Sequence, residues 1–233
     1  MEAAIYDFLK AGNKYFPKEL KVLGLTLARE LQSMSRSRQT DLSVSYTPEY
    51  SGPSTRLPTV DILLSFFYKH AIQQKITYTV TVENDLNDMT VCSIRVDDLT
   101  HILADLIENA MIAVRECTTK HVYIHFTLME KYYVIEISDS GPYFDTGTLN
   151  DFGLKHHTTH KETGGSGIGL MDIWKIKEKY QASLSILEIP PGKESITKKI
   201  SLIFDHKNLF ILQTFRADEV QPSLFRNDLV VMN

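Results

Sequence analysis

Apolar residues recur along this chain at two periods, and the switches between them mark out its elements. Leu20, Leu23, Leu27, Leu31 and Met34 follow helical spacing, which predicts a helix over residues 18–38. That stripe suits pairing with a second copy or packing on the chain's own domain, and both readings stay open. Three prolines and a glycine between Tyr46 and Pro58 predict a linker. Residues 60–74 read as a second apolar helix, after which Ile76, Tyr78, Val80 and Val82 alternate as a strand. A helix over 96–117 carries Leu99, Ile102, Leu103, Leu106, Ile107, Ala110 and Ala113 at core spacing. Val122, Ile124, Phe126 and Leu128 predict the next strand, and Tyr133, Ile135 and Ile137 another that ends in Asp139. Residues 141–164 are polar with no apolar period, which predicts a mobile lid. A helix over 168–180 and strands at Leu184–Ile186 and Ile200–Phe204 follow. Leu209–Phe215 and Leu229–Val231 are placed to add one strand each.

Helices alternating with mostly antiparallel strands predict an α+β fold, a two-layer α/β sandwich with an N-terminal helical segment. The expected divisions are a helix and linker over 1–58, the main domain over 59–205, and an extension over 206–233 with no predicted role.

Composition narrows the classes further. A hydrophobic content of 43% in 233 residues is ordinary for a soluble chain with one sizeable core. The net charge of −4 gives no reason to expect nucleic acid or an anionic membrane surface as main partner. No apolar run reaches the length of about 18 residues that a membrane span needs, and no basic-then-apolar leader opens the chain, so neither a span nor a signal peptide is expected. Cys92 and Cys117 are too few and too distant for a metal-ligand pattern, and they suggest a reducing compartment. The expected location is cytoplasmic, either as a free protein or as the soluble part of a membrane-bound sensor.

The candidate chemistry lies in three segments. Asp105 and Asn109 stand four apart and share one helix face, whereas Glu108 points about 100° away. A carboxylate and an amide oxygen are hard ligands suited to Mg²⁺. Asp139-Ser140-Gly141 ends an apolar strand. Thr163-Gly164-Gly165-Ser166-Gly167-Ile168-Gly169-Leu170 opens a helix whose free N–H groups and dipole would favour an anion. This loop is neither a P-loop, which needs Gly-Lys-Ser/Thr, nor the G-x-G-x-x-G of a dinucleotide site.

In combination and in this order, the segments resemble the Bergerat-fold (GHKL) ATPases, the superfamily of DNA gyrase, the ninety-kilodalton heat-shock chaperone, MutL and the sensor histidine kinases. Glu108-Asn109-Ala110 followed by the glycine loop is most similar to the ATP-binding catalytic domain of a bacterial sensor histidine kinase. The resemblance spans roughly residues 60–205 and implies ATP and Mg²⁺ as cofactors. It implies Asn109 as the metal ligand and Asp105 at the position of the catalytic base or its kinase counterpart. Asp139 would accept from the exocyclic amine of adenine, and Gly141 would let the base approach. Lys155, Gly165, Gly167, Gly169 and Leu170 would surround the phosphates, and Thr197 would touch the nucleotide or its carboxylate. Ile112 and Ala113 stand where the family often has a basic residue.

The implied function is transfer of the ATP γ-phosphate to a histidine, with a histidine-containing dimerisation segment or partner protein, a response regulator and a possible homodimer as partners. Every histidine here lies at position 70 or beyond, none on the N-terminal helix, and His70 reads as a structural residue beside Phe66 and Phe67. Two rivals therefore stand: an anti-sigma-type serine kinase, and a nucleotide-binding module without phosphotransfer.

Overall fold

A computed structural model describes residues 52–150, 152, 168–192, 194–216, 218–219 and 229–232, with backbone alone at 168–171 and 229–232. Contacts divide the chain into Met1–Pro48 and Glu49–Asn233. The predicted helix over 18–38 lies outside the described residues.

Helix α1 (Pro58–Gln73) opens with a proline whose missing N–H is no loss in a first turn, and it buries Val60, Leu64, Phe67 and Ala71. The His70 ring lies against Phe66, tilted by 42° with centroids 4.4 Å apart, in keeping with a packed structural histidine. Strand β1 (Thr77–Val82) leads to α2 (Leu86–Cys92), where the Asp85 carboxylate accepts from the Asn87 N–H at 2.9 Å. Helix α2 has no counterpart among the predicted elements. With only Leu86 and Met89 buried, it offers too few turns for a periodic signal. Helix α3 (Val96–Val114) buries the predicted stripe from Leu99 to Ala110 and adds Met111 and Val114, while Ala113, expected in the core, is only half-buried beside the Gly141 turn. Strands β2 (His121–Met129) and β3 (Tyr132–Asp139) follow.

Part of the predicted lid is packed structure. Thr146–Asn150 forms a short helix, α4, with Thr148, Leu149 and Phe152 buried. Three buried residues among polar ones are too sparse to show a period, which is why the sequence read as loop there. Residues 153–167 lie outside the described residues. Helix α5 (Ile168–Tyr180), β4 (Ser183–Glu188), β5 (Lys198–Ile203), β6 (Phe210–Gln213) and β7 (Leu229–Met232) complete the order.

The seven strands among the described residues join one sheet in the order β1-β2-β3-β5-β4-β6-β7. The β2–β3, β3–β5 and β4–β5 ladders are antiparallel, whereas β1–β2, β4–β6 and β6–β7 are parallel. The sheet is therefore evenly mixed rather than mostly antiparallel. Alternation alone cannot reveal this, because side chains alternate identically in either pairing. Helices α1, α3 and α5 pack on one another and on the sheet, giving the two-layer α/β sandwich. The register lines up two apolar rows across it. One runs Phe126–Ile135–Leu202–Leu184–Phe210, the other Ile124–Ile137–Ile200–Ile186–Leu212. The extension past 206 supplies the last member of each row, so it belongs to the same core.

Candidate functional site

One register step beyond those rows, Asp139, Lys198 and Glu188 pair side by side across β3, β5 and β4. All three are buried, at 5%, 5% and 1% exposure. The core thus ends in a row of charges where the strands deliver the candidate site. Asp139 Oδ1 accepts from Lys198 Nζ at 2.5 Å and from the Gly141 N–H at 2.8 Å. Burial pushes the Asp139 carboxyl up, while the ammonium beside it and the Gly141 N–H pull the other way. Among the described residues nothing bonds to Asp139 Oδ2.

Gly141 occupies a place that a side chain cannot share. A Cβ built there would stand 2.7 Å from Ala113 Cβ, so the turn lies directly against α3. Thr197 locks the same turn from the other side. Its hydroxyl donates to the carbonyls of Gly141 at 2.5 Å and Asp139 at 3.1 Å, and its N–H donates to Asp139 O at 3.0 Å. Thr197 therefore holds the backbone around the carboxylate, and the group that touches the carboxylate itself is its neighbour Lys198. An open groove of about 720 Å³ borders Ala113, Ser140, Gly141 and Thr197. It does not reach Asp105 or Asn109.

Asp105 and Asn109 lie on one half-buried face of α3, as their spacing predicts. Asp105 faces His101 at 3.5 Å, and His101 faces Asp172 of α5 at 3.6 Å. Ligand atoms of His101, Asp105 and Asp172 lie within 4.8 Å of one another. Burial, aided by the charges of Asp172 and Glu108, raises the Asp105 carboxyl to about 6, although His101 pulls it down. Asp105 Oδ2 is buried without a hydrogen-bond partner among the described residues, a state that a cation would relieve. Lys155, Gly165 and Gly167 lie outside the described residues. Gly169 and Leu170 fall in the first turn of α5, as the loop-to-helix reading requires.

Sequence reasoning missed Lys198, Glu188, His101 and Asp172. The first two carried a signal: each shares the parity of buried strand residues, Lys198 with Ile200 and Leu202, and Glu188 with Leu184 and Ile186. A charge on the core parity at a strand end marks a buried ionic site. His101 and Asp172 meet only through the packing of α3 on α5, which no local pattern shows.

Residues 94–206 match the family model described as histidine kinase-, DNA gyrase B- and HSP90-like ATPase. Over this segment the chain is similar to the ATP-binding domains of that GHKL superfamily. A mycobacterial sensor histidine kinase, MprB, is similar at 14% identity and a TM-score of 0.44, covering 62% of this chain and 92% of that one. The catalytic domain of histidine kinase ThkA is similar at 17% identity and a TM-score of 0.46, covering 62% and 88%. Overlaps this loose carry no weight for function. No curated protein sequence matches. Among the described residues no helix is long and apolar enough to cross a membrane.

Proposed function

We propose that this chain is the catalytic domain of a two-component histidine kinase, passing the γ-phosphate of ATP to a histidine carried by a dimerisation segment or a partner protein. A response regulator would then receive it. The observation that carries the reading is the Asp139 turn within the matched segment: a buried carboxylate at a strand end, fixed through one oxygen and with no bond to the other among the described residues. An acceptor there matches the exocyclic amine of adenine and opposes the carbonyl of guanine, so ATP is preferred over GTP.

Asp105 and Asn109 would hold Mg²⁺, and the buried Asp105 Oδ2, which lacks a hydrogen bond among the described residues, fits that assignment. The bound ion would neutralise phosphate charge. The chain's own part is positioning: Asp139 and the Thr197-locked turn fix the base, and the first turn of α5 directs N–H groups at the phosphates.

Calorimetric titration of the full chain with ATP and GTP, each with and without Mg²⁺, tests the binding half. Equal affinity for both nucleotides would refute the adenine role of Asp139. Acid-labile, base-stable phosphate on a histidine-containing partner tests the transfer half. Base-labile phosphoserine would point to the serine-kinase alternative.

A further inference from the structure

The charge row that begins at Asp139 does not end at Glu188. Arg216, in the extension beyond β6, meets Glu188 through two bonds: Nη2 to Oε1 at 2.6 Å and Nε to Oε2 at 3.2 Å. Thr214, two residues earlier, donates to Glu188 Oε2 at 2.6 Å. The row thus reads Asp139, Lys198, Glu188, Arg216, four charges of alternating sign and zero sum. Phe144 is stitched into it. Its N–H donates to Glu188 Oε1 at 3.1 Å, its carbonyl accepts from Arg216 Nη2 at 2.8 Å, and its ring lies 5.6 Å from Lys198 Nζ.

Buried charges are tolerated when each has a partner of opposite sign, and removing one leaves the rest to redistribute. Lys198 stands in register between two carboxylates. While Arg216 satisfies Glu188, the ammonium is committed to Asp139 and to the Pro142 carbonyl at 2.8 Å. Without Arg216, Glu188 becomes an uncompensated anion directly across from Lys198 and draws the ammonium toward itself. Asp139 would then lose the contact that fixes Oδ1. A carboxyl without that partner takes up a proton more readily, and a protonated carboxyl can donate to the guanine carbonyl.

We propose that Arg216 of the C-terminal extension is a positioning residue for base selection: by balancing Glu188 it leaves Lys198 to Asp139 and holds that carboxylate in place as an acceptor. This rests on the adenine reading of Asp139. It gives the extension a part in the nucleotide site, although none of its residues needs to touch the nucleotide.

The test compares the wild-type chain with Arg216→Gln, Arg216→Lys and the double variant Glu188→Gln/Arg216→Gln. Two quantities are read at one pH: the ratio of ATP to GTP affinity, and exchange protection of the Gly141 amide without nucleotide, since that N–H bonds Asp139 Oδ1. Arg216→Gln should lower the ratio by about tenfold or more and reduce Gly141 protection. The double variant removes both charges of the outer pair while the new amide at position 188 still accepts from the Phe144 N–H through its oxygen and can donate to the Thr214 hydroxyl through its NH2, so both quantities should recover. Arg216→Lys, which keeps the charge, should stay near wild type. A double variant as impaired as Arg216→Gln would mean that Arg216 merely braces Phe144, and would overturn the proposal. So would an unchanged Arg216→Gln, or a folded Arg216→Lys that has lost the preference. If Arg216→Gln does not fold, the double variant and Arg216→Lys decide by the same criteria. A wild-type chain with no ATP preference would overturn the adenine reading instead, and the Gly141 amide would still show whether the charge row operates.

Discussion

Gly141→Ala adds one methyl group where the Asp139 turn meets α3. The new Cβ would stand 2.7 Å from Ala113 Cβ, 2.8 Å from Asp139 Oδ1 and 3.0 Å from the Ala113 carbonyl carbon. Carbon atoms at rest lie about 3.5–4.0 Å apart, so roughly 1 Å of separation must be recovered. None of the three neighbours can give cheaply. Ala113 has no rotamer to change, its carbonyl carbon belongs to a helix with eight buried side chains, and Asp139 Oδ1 is pinned by Lys198. Overpacking of this kind costs about 1–3 kcal/mol. Part of that is offset because alanine restricts the unfolded chain more than glycine, by about 0.4–1 kcal/mol. The net expectation is a loss of about 1–2 kcal/mol.

Binding should suffer more than stability, since the clash falls on the oxygen that fixes the adenine-reading carboxylate. Urea unfolding gives the first quantity, and calorimetric titration with Mg-ATP gives the second, expected to weaken at least about tenfold. Gly147→Ala is the control. Its Cβ would come closest to Asp145 Oδ2, at 2.8 Å; moving that exposed carboxylate loses only its bond from the Thr148 N–H at 3.1 Å, about 1 kcal/mol, which the helix preference of alanine over glycine offsets. Gly147→Ala should be close to neutral in both assays. A Gly141→Ala protein with unchanged unfolding and unchanged ATP affinity would show that the turn does not seat against α3 as described.

Lys198→Met should destabilise by about 3–5 kcal/mol near neutral pH, because it strands a buried carboxylate. Adding Asp139→Asn should recover most of that loss in urea unfolding, and no recovery would deny the pairing. Asp105→Asn tests burial through pH. Its carboxyl is raised from 3.8 to about 6, so the folded state favours the protonated form; that contribution is complete below about 3.8 and lost as pH rises through 6. Unfolding of the wild type without metal or nucleotide should therefore weaken over that window by up to about 3 kcal/mol relative to Asp105→Asn, and parallel pH curves would refute the assignment. Asn109→Ala should abolish the Mg²⁺ dependence of ATP binding while unfolding changes by less than about 1 kcal/mol; a retained dependence would place the metal on other residues.

The parts of this molecule that were legible in the sequence are those governed by local periodicity. Helix α3 declared itself through its buried stripe, and its polar face then placed Asp105 and Asn109 together without reference to the rest of the chain. Strands β2 and β3 declared themselves by alternation, and their ends fixed where Asp139 would emerge. What could not be read depends on which strands become neighbours. Lys198 is an ordinary strand lysine until β5 inserts between β3 and β4 and sets it beside Asp139. Glu188 and Arg216 are 28 positions apart and meet only because β6 pairs in parallel with β4. The seven-residue α2 and five-residue α4 were missed because two or three buried side chains cannot establish a period.

The extension shows how far a family pattern and a folding unit can differ. The resemblance stops near residue 205, yet the core does not. After β5 the chain turns through His206 and Asn208, both in the left-handed region, and the fully buried Lys177 of α5 donates to the Asn208 carbonyl at 2.7 Å and its side-chain oxygen at 2.8 Å. Phe210 then stacks on Phe152 at 5.4 Å and meets Trp174 edge-on at 5.5 Å, joining the segment after α4 to the helix that follows the glycine loop. Arg216 closes the charge row. A chain ended at 205 would take two bonds from a buried ammonium, the guanidinium from a buried carboxylate and an aromatic ring from the core. Stranding even one buried charge costs about 3–5 kcal/mol, a large share of the 5–15 kcal/mol that holds a typical domain. The extension grips the sheet end at Glu188, beside the Lys198 that pairs with Asp139, and α5 at Lys177. It is therefore placed to set the geometry of the nucleotide site, and the physical unit that binds ATP reaches at least to Arg216.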